Sequence, residues 1–420
     1  MVRAKKTYSW ERLAGDCAGG FIAALIALPY GLSMAALMGL PPILGIFTSV
    51  ISTPFVVLLG RNSLLMGGTA SATVPFITSA VRTQGIAGAA KISIVASVFM
   101  MCFCIMRLGR QVSRVPIAVV AGFSAGIGAL MVISQLPVML GVHQSTSEIP
   151  IVQLIFSLRQ IAQMHWLPLA LGCTVIVAAF ICTRISLRIP APLVGVIAAF
   201  LVALLLHSHE PEVGSLQLTM PQFAGFSWTP HDVVNLLPSG LMLAFVASVN
   251  LLLTSRTIEH FQGRHKPLLR ADSDAEVGAY GIANLAVGIV GAPMSVGIPA
   301  RSVAAIRCGA TTRLANLIHA VCLLLFVRYG SGTLAHIPMA ALAGVTSYMG
   351  ISLLDIGTWR RLRKMHLLDA SAFLITVVGV LVSNAVTAVL AGAGIYVLHY
   401  AYKKYVRPLG LQAGAADRAA

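Results

Sequence analysis

The chain has 420 residues, of which 57% are hydrophobic and only 10% are charged. An ordinary soluble protein carries about 25% charged residues, so this composition excludes a soluble enzyme. The high apolar fraction also excludes intrinsic disorder, and the 38 glycines follow no collagen-like triplet period. A protein that crosses a membrane several times remains. The net charge of +16 then has to be explained by where the basic residues lie.

The N-terminus and the cysteines indicate neither processing nor a cofactor. The first apolar run begins after Asp16 and is too long for the hydrophobic region of a cleavable signal peptide, so the N-terminus is expected to stay attached. The seven cysteines show no C-x-x-C spacing, and most lie in apolar runs. We therefore predict no disulfide, no metal site and no cofactor.

Fourteen apolar segments, bounded by glycine, proline or charge, follow one another along the chain. A bilayer core of about 30 Å needs about 20 apolar residues per helix, and most of the segments are ordinary spans. Segments 3 and 10 are short, rich in small polar residues and interrupted by Pro75 and Pro299, so neither crosses the bilayer alone. The fourteen segments are 15–38, 41–60, 67–81, 86–106, 115–134, 167–183, 190–206, 238–255, 277–292, 299–311, 314–330, 338–354, 367–383 and 385–402.

The basic residues predict a cytoplasmic location for both termini. Alternation through fourteen segments leaves only Arg82, Lys91, Arg159 and Arg328 outside, and the long loop 207–237 carries no Lys or Arg, as the positive-inside rule requires. The basic residues are distributed over every second loop and form no single patch, which disfavours a nucleic-acid partner. The predicted location is the cell membrane, of the bacterial inner-membrane type. The cytoplasmic clusters are Arg107/Arg110/Arg114, Arg184/Arg188, Arg256/Arg264/Lys266/Arg270, Arg360/Arg361/Arg363/Lys364 and Lys403/Lys404/Arg407.

The two short segments hold the third place in each half of seven. Paired interrupted segments at matching positions are typical of an inverted repeat with its binding site near the midplane. The predicted fold is thus an all-α polytopic membrane protein with fourteen segments in a seven-plus-seven inverted repeat. Its parts are a cytoplasmic N-terminus (1–14), a first repeat (15–206), an external loop (207–237), a second repeat (238–402) and a short cytoplasmic tail (403–420).

Segments 3 and 10 both read as helix N-termini. Residues 67–73 are Gly-Gly-Thr-Ala-Ser-Ala-Thr, and residues 297–303 are Gly-Ile-Pro-Ala-Arg-Ser-Val. Two such ends facing each other form an anion-binding gap from backbone N–H groups and helix dipoles, to which Arg301 adds a full charge and Ser71 and Ser302 add hydroxyl donors. The alternative is that the small residues only allow close helix packing.

Three further polar residues are candidates for the same gap. Asn250 and Thr254 are spaced i, i+4 and share one helical face, and Tyr30 follows Pro29 in segment 1. Interhelical packing explains them equally well. The thirteen acidic residues fall almost entirely in loops or at helix ends. Proton relays and cation channels need a carboxylate inside the membrane, so both are disfavoured.

Several motifs along nearly the whole chain resemble those of one known family, the sulfate permease (SulP) anion transporters. The resemblance is specific because the motifs occur in the family's order. They are Asp-Cys-Ala-Gly at 16–19, Ala-Leu-Pro-Tyr-Gly at 27–31, Gly-Leu-Pro-Pro at 39–42, Ala-Gly-Phe-Ser at 121–124, Gln-Leu-Pro at 135–137, Asp-Ser-Asp-Ala-Glu at 272–276, Gly-Ile-Ala-Asn at 281–284, the stretch 297–302, and Gly-Ala-Thr-Thr-Arg at 309–313.

The resemblance implies a core domain that moves against a gate domain in an elevator-type mechanism, commonly in a homodimer. It also implies that the anion binds between half-helices 3 and 10. The cytoplasmic STAS domain that usually follows helix 14 in the family is, as a departure from the family pattern, not expected in this sequence. The family's anion-contacting positions correspond to Thr69, Ala70, Ser71, Ala300, Arg301 and Ser302.

Two departures from the family pattern bear on mechanism. Many bacterial members carry an acidic residue four positions before the helix-8 threonine, where this chain has Asn250 ahead of Thr254. Carboxylate-based coupling to sodium or protons is therefore in question, and exchange or uniport is preferred. Members often have glutamine where this chain has Tyr30, which changes the shape of the pocket.

The sequence thus predicts a secondary transporter of a small inorganic anion, with sulfate ahead of bicarbonate and similar oxyanions. A small-carboxylate (dicarboxylate) transporter, an anion channel and a non-transporting anion sensor remain alternatives. A nucleobase permease is disfavoured because such proteins usually carry acidic residues in helices 8 and 10. The expected partners are the anion, the lipid bilayer and a second copy of the chain.

Overall fold

Long apolar helices dominate the computed structural model. The structure describes residues 9–109, 116–145, 147, 149–186, 190–206, 210–214, 228–261, 270–383, 385–401 and 403. Residues 1–8, most of the predicted loop 207–237, nearly all of the predicted tail 403–420 and several of the predicted basic clusters lie outside these ranges.

Eight helices of the described ranges are long and apolar enough to cross a membrane, and four shorter apolar helices accompany them. The helices are α1 Trp10–Leu37, α2 Pro42–Leu59, α3 Val74–Ile105, α4 Ile117–Leu140, α5 Pro150–Arg159, α6 Trp166–Ile185, α7 Ala191–Leu205, α8 Pro230–Phe261, α9 Arg270–Ile289, α10 Pro299–Arg307, α11 Leu314–Ala335, α12 Met339–Leu353, α13 Ile356–Arg361, α14 Leu367–Val382 and α15 Ala385–Ala401.

Each of the fourteen predicted segments corresponds to helical structure, with two instructive differences. Predicted segments 3 and 4 run together as α3, whose backbone is non-helical only at Gly85, with φ 63°. A residue without Cβ adopts this conformation at little cost, so the chain reverses direction there. Helices α5 and α13 were not predicted, because ten and six residues are far below the length of a membrane span.

Two short strands replace part of the helices predicted for segments 3 and 10. Strand β1, Gly67–Thr69, pairs antiparallel with β2, Ser295–Gly297. The helical structure of segment 3 begins only at the 3₁₀ turn Ser71–Thr73, and α10 begins at Pro299. Unpaired backbone groups are costly inside a membrane, and pairing between two distant parts of the chain satisfies them here.

The helices pack into two groups. The first group contains α1, α2, α3, α8, α9, α10, α11 and the two strands, and the second contains α4, α6, α7, α12, α14 and α15. Contacts between the groups are made mainly by α1 against α7 and α12. An apolar cluster fills this junction, with Leu28 and Leu32 of α1 beside Val196 of α7 and Val345 of α12. Most helix–helix contacts are therefore made between helices of the same group.

Contacts at the ends of helices mark the two sides of the molecule. On the side of the N-terminus, the Arg313 guanidinium donates to the carbonyl groups of Val57 and Gly60 at the end of α2. With the predicted topology, the described basic residues other than Arg82, Lys91, Arg159, Arg328 and the buried Arg301 are expected on this same side. The described members of this set are Arg12, Arg61, Arg107, Arg184, Arg256, Arg307, Arg313, Arg360, Arg361, Arg363, Lys364 and Lys403.

A polar network ties two helices together on the opposite side. Asp232, in the first turn of α8, accepts hydrogen bonds from the Thr229 hydroxyl and backbone N–H and from Lys91 Nζ at 3.0 Å. These bonds, first the Thr229 hydroxyl and then Lys91, hold the pKa of Asp232 below its ordinary range. The carboxylate therefore stays charged and caps α8 while it anchors α3.

Helices α1 and α2 cross so closely that only glycine fits at the contact. A Cβ added to Gly45 would lie 1.9 Å from the carbonyl oxygen of Gly31. We expect Gly45→Ala to lower the free energy of unfolding by about 1–3 kcal/mol, because the two backbones have to move apart. Thermal unfolding in detergent measures this loss. Gly394→Ala is the matched control, since no atom lies within 4 Å of its added Cβ; equal melting of the two variants would contradict the prediction.

Candidate anion site

The paired strands place two helix N-termini side by side. In the pairing register, Gly67 lies opposite Gly297 and Thr69 lies opposite Ser295. One more backbone hydrogen bond, from Ile298 N–H to the Met66 carbonyl, extends the pairing. Each strand leads within two residues into helical structure, so both N-termini start from one small hydrogen-bonded unit.

Free backbone donors are present at both starts. Pro299 occupies the first position of α10, where a missing N–H is harmless. The next amides, those of Ala300 and Arg301, belong to the first turn and have no intrahelical acceptor. In the other start, Thr73 N–H bonds to the Ala70 carbonyl and the Ser71 amide interacts with the Tyr30 phenol, and the amide of Ala72 also belongs to this first turn. The positive ends of two helix dipoles thus converge.

Buried side chains hold the strands in place. The Asn284 amide donates to the Ser295 carbonyl at 2.8 Å and its oxygen accepts from Ser295 N–H at 2.6 Å. Asn316 Nδ2 donates to the Leu65 carbonyl. Glu276 Oε2 accepts the N–H groups of Arg61 and Asn62. Several motif residues noticed in the sequence therefore serve to position the loop that carries β1.

A cavity of about 500 Å³ opens in front of the two helix starts. Helices from both packing groups form its wall. The wall is mostly apolar, and its polar members are hydroxyl and amide side chains, with no Lys, Arg, His, Asp or Glu among the described residues. The lining residues are Tyr30, Ala70, Ser71, Ala72, Val119, Val120, Phe123, Ser124, Ile127, Phe245, Val246, Val249, Asn250, Leu253, Thr254, Thr257, Gly297, Ile298, Pro299, Ala300, Met349, Ser352, Leu353 and Val389.

Six of the nine predicted site residues lie on this wall. From the two helix starts these are Ala70, Ser71 and Ala300, and from helices α1 and α8 they are Tyr30, Asn250 and Thr254. Asn250 and Thr254 share a face of α8, as their spacing predicts, and the Thr254 hydroxyl donates to the Asn250 amide oxygen at 3.4 Å. The structure therefore brings residues from four separate parts of the sequence to one cavity.

The other three predicted residues, Thr69, Arg301 and Ser302, lie behind the wall. The Thr69 hydroxyl donates to the Gly45 carbonyl. The Ser302 hydroxyl donates to the Ile298 carbonyl and accepts from Met66 N–H. Neither proton is free for an anion in this structure, contrary to the donor role expected for Ser302. The Thr69 hydroxyl instead satisfies a carbonyl of α2, and the Ser302 hydroxyl satisfies backbone groups next to the two strands; the sequence does not reveal either contact.

Arg301 is fully buried and only partly satisfied. Its exposed fraction is 1%, and Nη1 donates to the Ser49 hydroxyl at 2.9 Å. Nε and Nη2 have no hydrogen-bond partner within the described part of the chain. The ring of Tyr30 lies against the guanidinium, with 5.2 Å between Arg301 Cζ and the ring centre. A full positive charge thus sits behind the two helix starts without a carboxylate partner in the described residues.

Several residues of the site were not predicted from the sequence. Ser49 is the hydrogen-bond partner of Arg301, and Phe123, Ser124 and Phe245 form part of the cavity wall. The Ala-Gly-Phe-Ser stretch at 121–124 is a recognisable motif, but nothing in it indicates that it faces residues 170 positions away. Ser49 carries no local signal, because serine is common in packed membrane helices.

Comparison with known proteins agrees with this geometry. The family model described as the sulfate permease family matches residues 13–376. The bicarbonate transporter BicA of Picosynechococcus sp. is 27% identical over 403 residues, and the match covers 92% of this chain and 70% of that protein. Sulfate transporter 3.2 of Arabidopsis thaliana is 24% identical over 415 residues, covering 93% of this chain and 63% of that protein.

Solved structures share the fold. The transmembrane domain of a cyanobacterial bicarbonate transporter BicA superposes with a TM-score of 0.80 at 23% identity, covering 92% of this chain and 98% of that one. The murine Solute Carrier 26 family member A9 anion transporter, in its inward-facing state, superposes with a TM-score of 0.84 at 15% identity, covering 95% and 70%. These relatives are membrane transporters and not enzymes, and together with the family match they confirm the resemblance seen in the motifs: the chain belongs to the sulfate permease family.

Proposed function

We propose that this protein is a secondary transporter of a small inorganic anion, such as bicarbonate or sulfate. The observation that carries this proposal is the meeting of two helix N-termini at a cavity, with the buried charge of Arg301 behind them. Free N–H groups and dipoles at such ends favour negative charge. The names of the relatives, which are bicarbonate and sulfate transporters, support the same substrate class.

The anion binds between the turn Ser71–Thr73 and the start of α10. Ser71 supplies a hydroxyl there, and the amides of Ala300 and Arg301 supply backbone donors. Arg301 acts through its field, because its side chain does not reach the wall. The residues at positions 69 and 302 support this arrangement by holding the strands.

Movement of the first packing group against the second provides alternating access. Helices α1–α3 and α8–α11 form the core, and α4, α6, α7, α12, α14 and α15 form the gate, in a seven-plus-seven inverted repeat. Two features support this mechanism: the cavity lies between the groups, and few helices connect them. An elevator-type displacement keeps the two helix starts together while it changes the side to which they open. We also propose a homodimer in the cell membrane with both termini in the cytoplasm.

We propose that the cavity opens to the side of the N-terminus. The cavity extends along α8 to Leu253 and Thr257 and along α12 to Ser352 and Leu353. These are the C-terminal ends of both helices, which lie on the same side as the start of α1. With the predicted topology, the cavity is open to the cytoplasm.

Transport by this cavity is expected to proceed without coupling to sodium or protons. The wall has no carboxylate among the described residues, and Asn250 stands where one would face the anion. Uptake of radiolabelled bicarbonate and sulfate into proteoliposomes tests this expectation. Both anions are measured with and without a sodium gradient, and sulfate is also measured with and without a pH gradient. Parent uptake should ignore both gradients, whereas Asn250→Asp should gain dependence on one of them, because a buried carboxylate requires a counter-ion.

The matched control is Asn235→Asp, which adds the same charge on α8 at an exposed position away from the cavity. It should behave like the parent. Gradient-driven uptake in the parent would mean that coupling resides elsewhere in the protein. Counterflow measurements decide between a carrier and a channel or sensor, since only a carrier accelerates exchange when anion is present on the far side.

A further inference from the structure

Tyr30 separates the one buried arginine of the site from the cavity. Its ring lines the cavity, and the face of that ring lies 5.2 Å from the guanidinium carbon of Arg301. Arg301 itself is 1% exposed and does not line the cavity. The ring therefore takes the position that an anion would need for direct contact with the guanidinium.

The covered guanidinium keeps unused donors. Nη1 is occupied by Ser49, whereas Nε and Nη2 bond to nothing else in the described ranges. The crowding around it is tight, since a Cβ on Gly68 would lie 2.2 Å from Nη1. The arginine is thus held in place, and an anion in the cavity does not reach its two unpartnered donors, Nε and Nη2. A smaller side chain at position 30 would open that route.

The donors that remain for an anion are neutral. They are the Ser71 hydroxyl, with which the Tyr30 phenol interacts, and the backbone amides at the two helix starts. The cost of taking an ion out of water rises with the square of its charge, so a dianion loses about four times as much hydration energy as a monoanion of similar size. Neutral donors and one shielded positive charge can offset the hydration energy that a monoanion loses far better than the energy that a dianion loses.

We propose that Tyr30 sets the charge selectivity of this site: by covering Arg301 it restricts the cavity to monovalent anions such as bicarbonate or nitrate and disfavours the divalent sulfate. This inference rests on the proposed function and narrows its substrate class. The apolar character of the wall agrees with it, because weakly hydrated monovalent anions tolerate apolar neighbours better than sulfate does.

Competition experiments on the parent and three variants test the role of Tyr30. Uptake of radiolabelled bicarbonate into proteoliposomes is measured with increasing nitrate or sulfate, and direct sulfate uptake is measured in parallel. In the parent, nitrate should inhibit, and sulfate should need at least about tenfold higher concentration. In Tyr30→Ala the guanidinium gains direct access, so sulfate affinity should rise about ten- to hundredfold, the range of one charge-assisted hydrogen bond.

Tyr30→Phe is the matched control because it keeps the ring over Arg301 and removes only the hydroxyl. It should retain the preference of the parent, and Tyr30→Ala combined with Arg301→Gln should lose the gained sulfate affinity. A gain in Tyr30→Phe equal to that in Tyr30→Ala would overturn the covering role. Should Tyr30→Ala fail to fold, the parent alone still decides, since equal use of sulfate and nitrate overturns the inference. Transport of no anion by any of these proteins would instead refute the proposed function.

Discussion

Arg301→Gln is expected to lower anion affinity by about tenfold or more and, at the same time, to leave the anion-free protein at least as stable as the parent. The loss of affinity follows from removing the one full positive charge that the described residues place at the site. The gain in stability follows because Arg301 is buried with Nε and Nη2 unpartnered in the described structure. An uncompensated buried charge costs several kcal/mol, and a neutral side chain of similar length removes that cost.

Two measurements on the same purified protein check this prediction. Thermal unfolding in detergent without anion reports stability, and anion uptake into proteoliposomes reports function. Arg307→Gln removes the same charge from the same helix at a partly exposed position and should change neither greatly. An Arg301→Gln protein that is expressed normally and transports like the parent would rule out a role for this charge.

Asp16→Ala is expected to lower the free energy of unfolding by about 3 kcal/mol. Asp16 is fully buried in α1, and its Oδ1 accepts the N–H groups of Thr311 and Thr312 at 2.6 and 3.0 Å. Its Oδ2 accepts the Thr312 hydroxyl. Alanine would remove three hydrogen bonds that the buried carboxylate accepts from Thr311 and Thr312 just before α11, and hydrogen bonds to a charged group each contribute about 1.5–3 kcal/mol.

Asp16→Asn separates the hydrogen bonds from the charge. The amide keeps one acceptor oxygen for the two backbone N–H groups, so its melting temperature should fall between those of the parent and Asp16→Ala. Melting curves of the three proteins in detergent provide the measurement. Equal losses in both variants would show that the negative charge, and not the pattern of acceptors, stabilises the junction of α1 and α11.

The number and placement of the membrane segments followed from the sequence because they depend on local composition. A run of apolar residues has to be buried in lipid wherever it folds, and the position of Lys and Arg fixes its direction. The two short segments were recognisable for the same reason, since Pro75 and Pro299 interrupt them. Even the shared face of Asn250 and Thr254 is a local property of one helix. The motifs between Asp16 and Arg313 were sufficient to indicate the family.

The tertiary structure alone decided how the site is built, because its contacts join residues that are far apart in sequence. Strand pairing between Gly67–Thr69 and Ser295–Gly297 connects positions more than 220 residues apart, and nothing in either tripeptide predicts its partner. The same holds for the hydroxyl of Ser302, which the backbone at Met66 occupies. The sequence identified Arg301 as a charge within the membrane. That the charge is turned toward Ser49 and covered by Tyr30 depends on how α1, α2 and α10 pack, and such packing is set by the whole molecule.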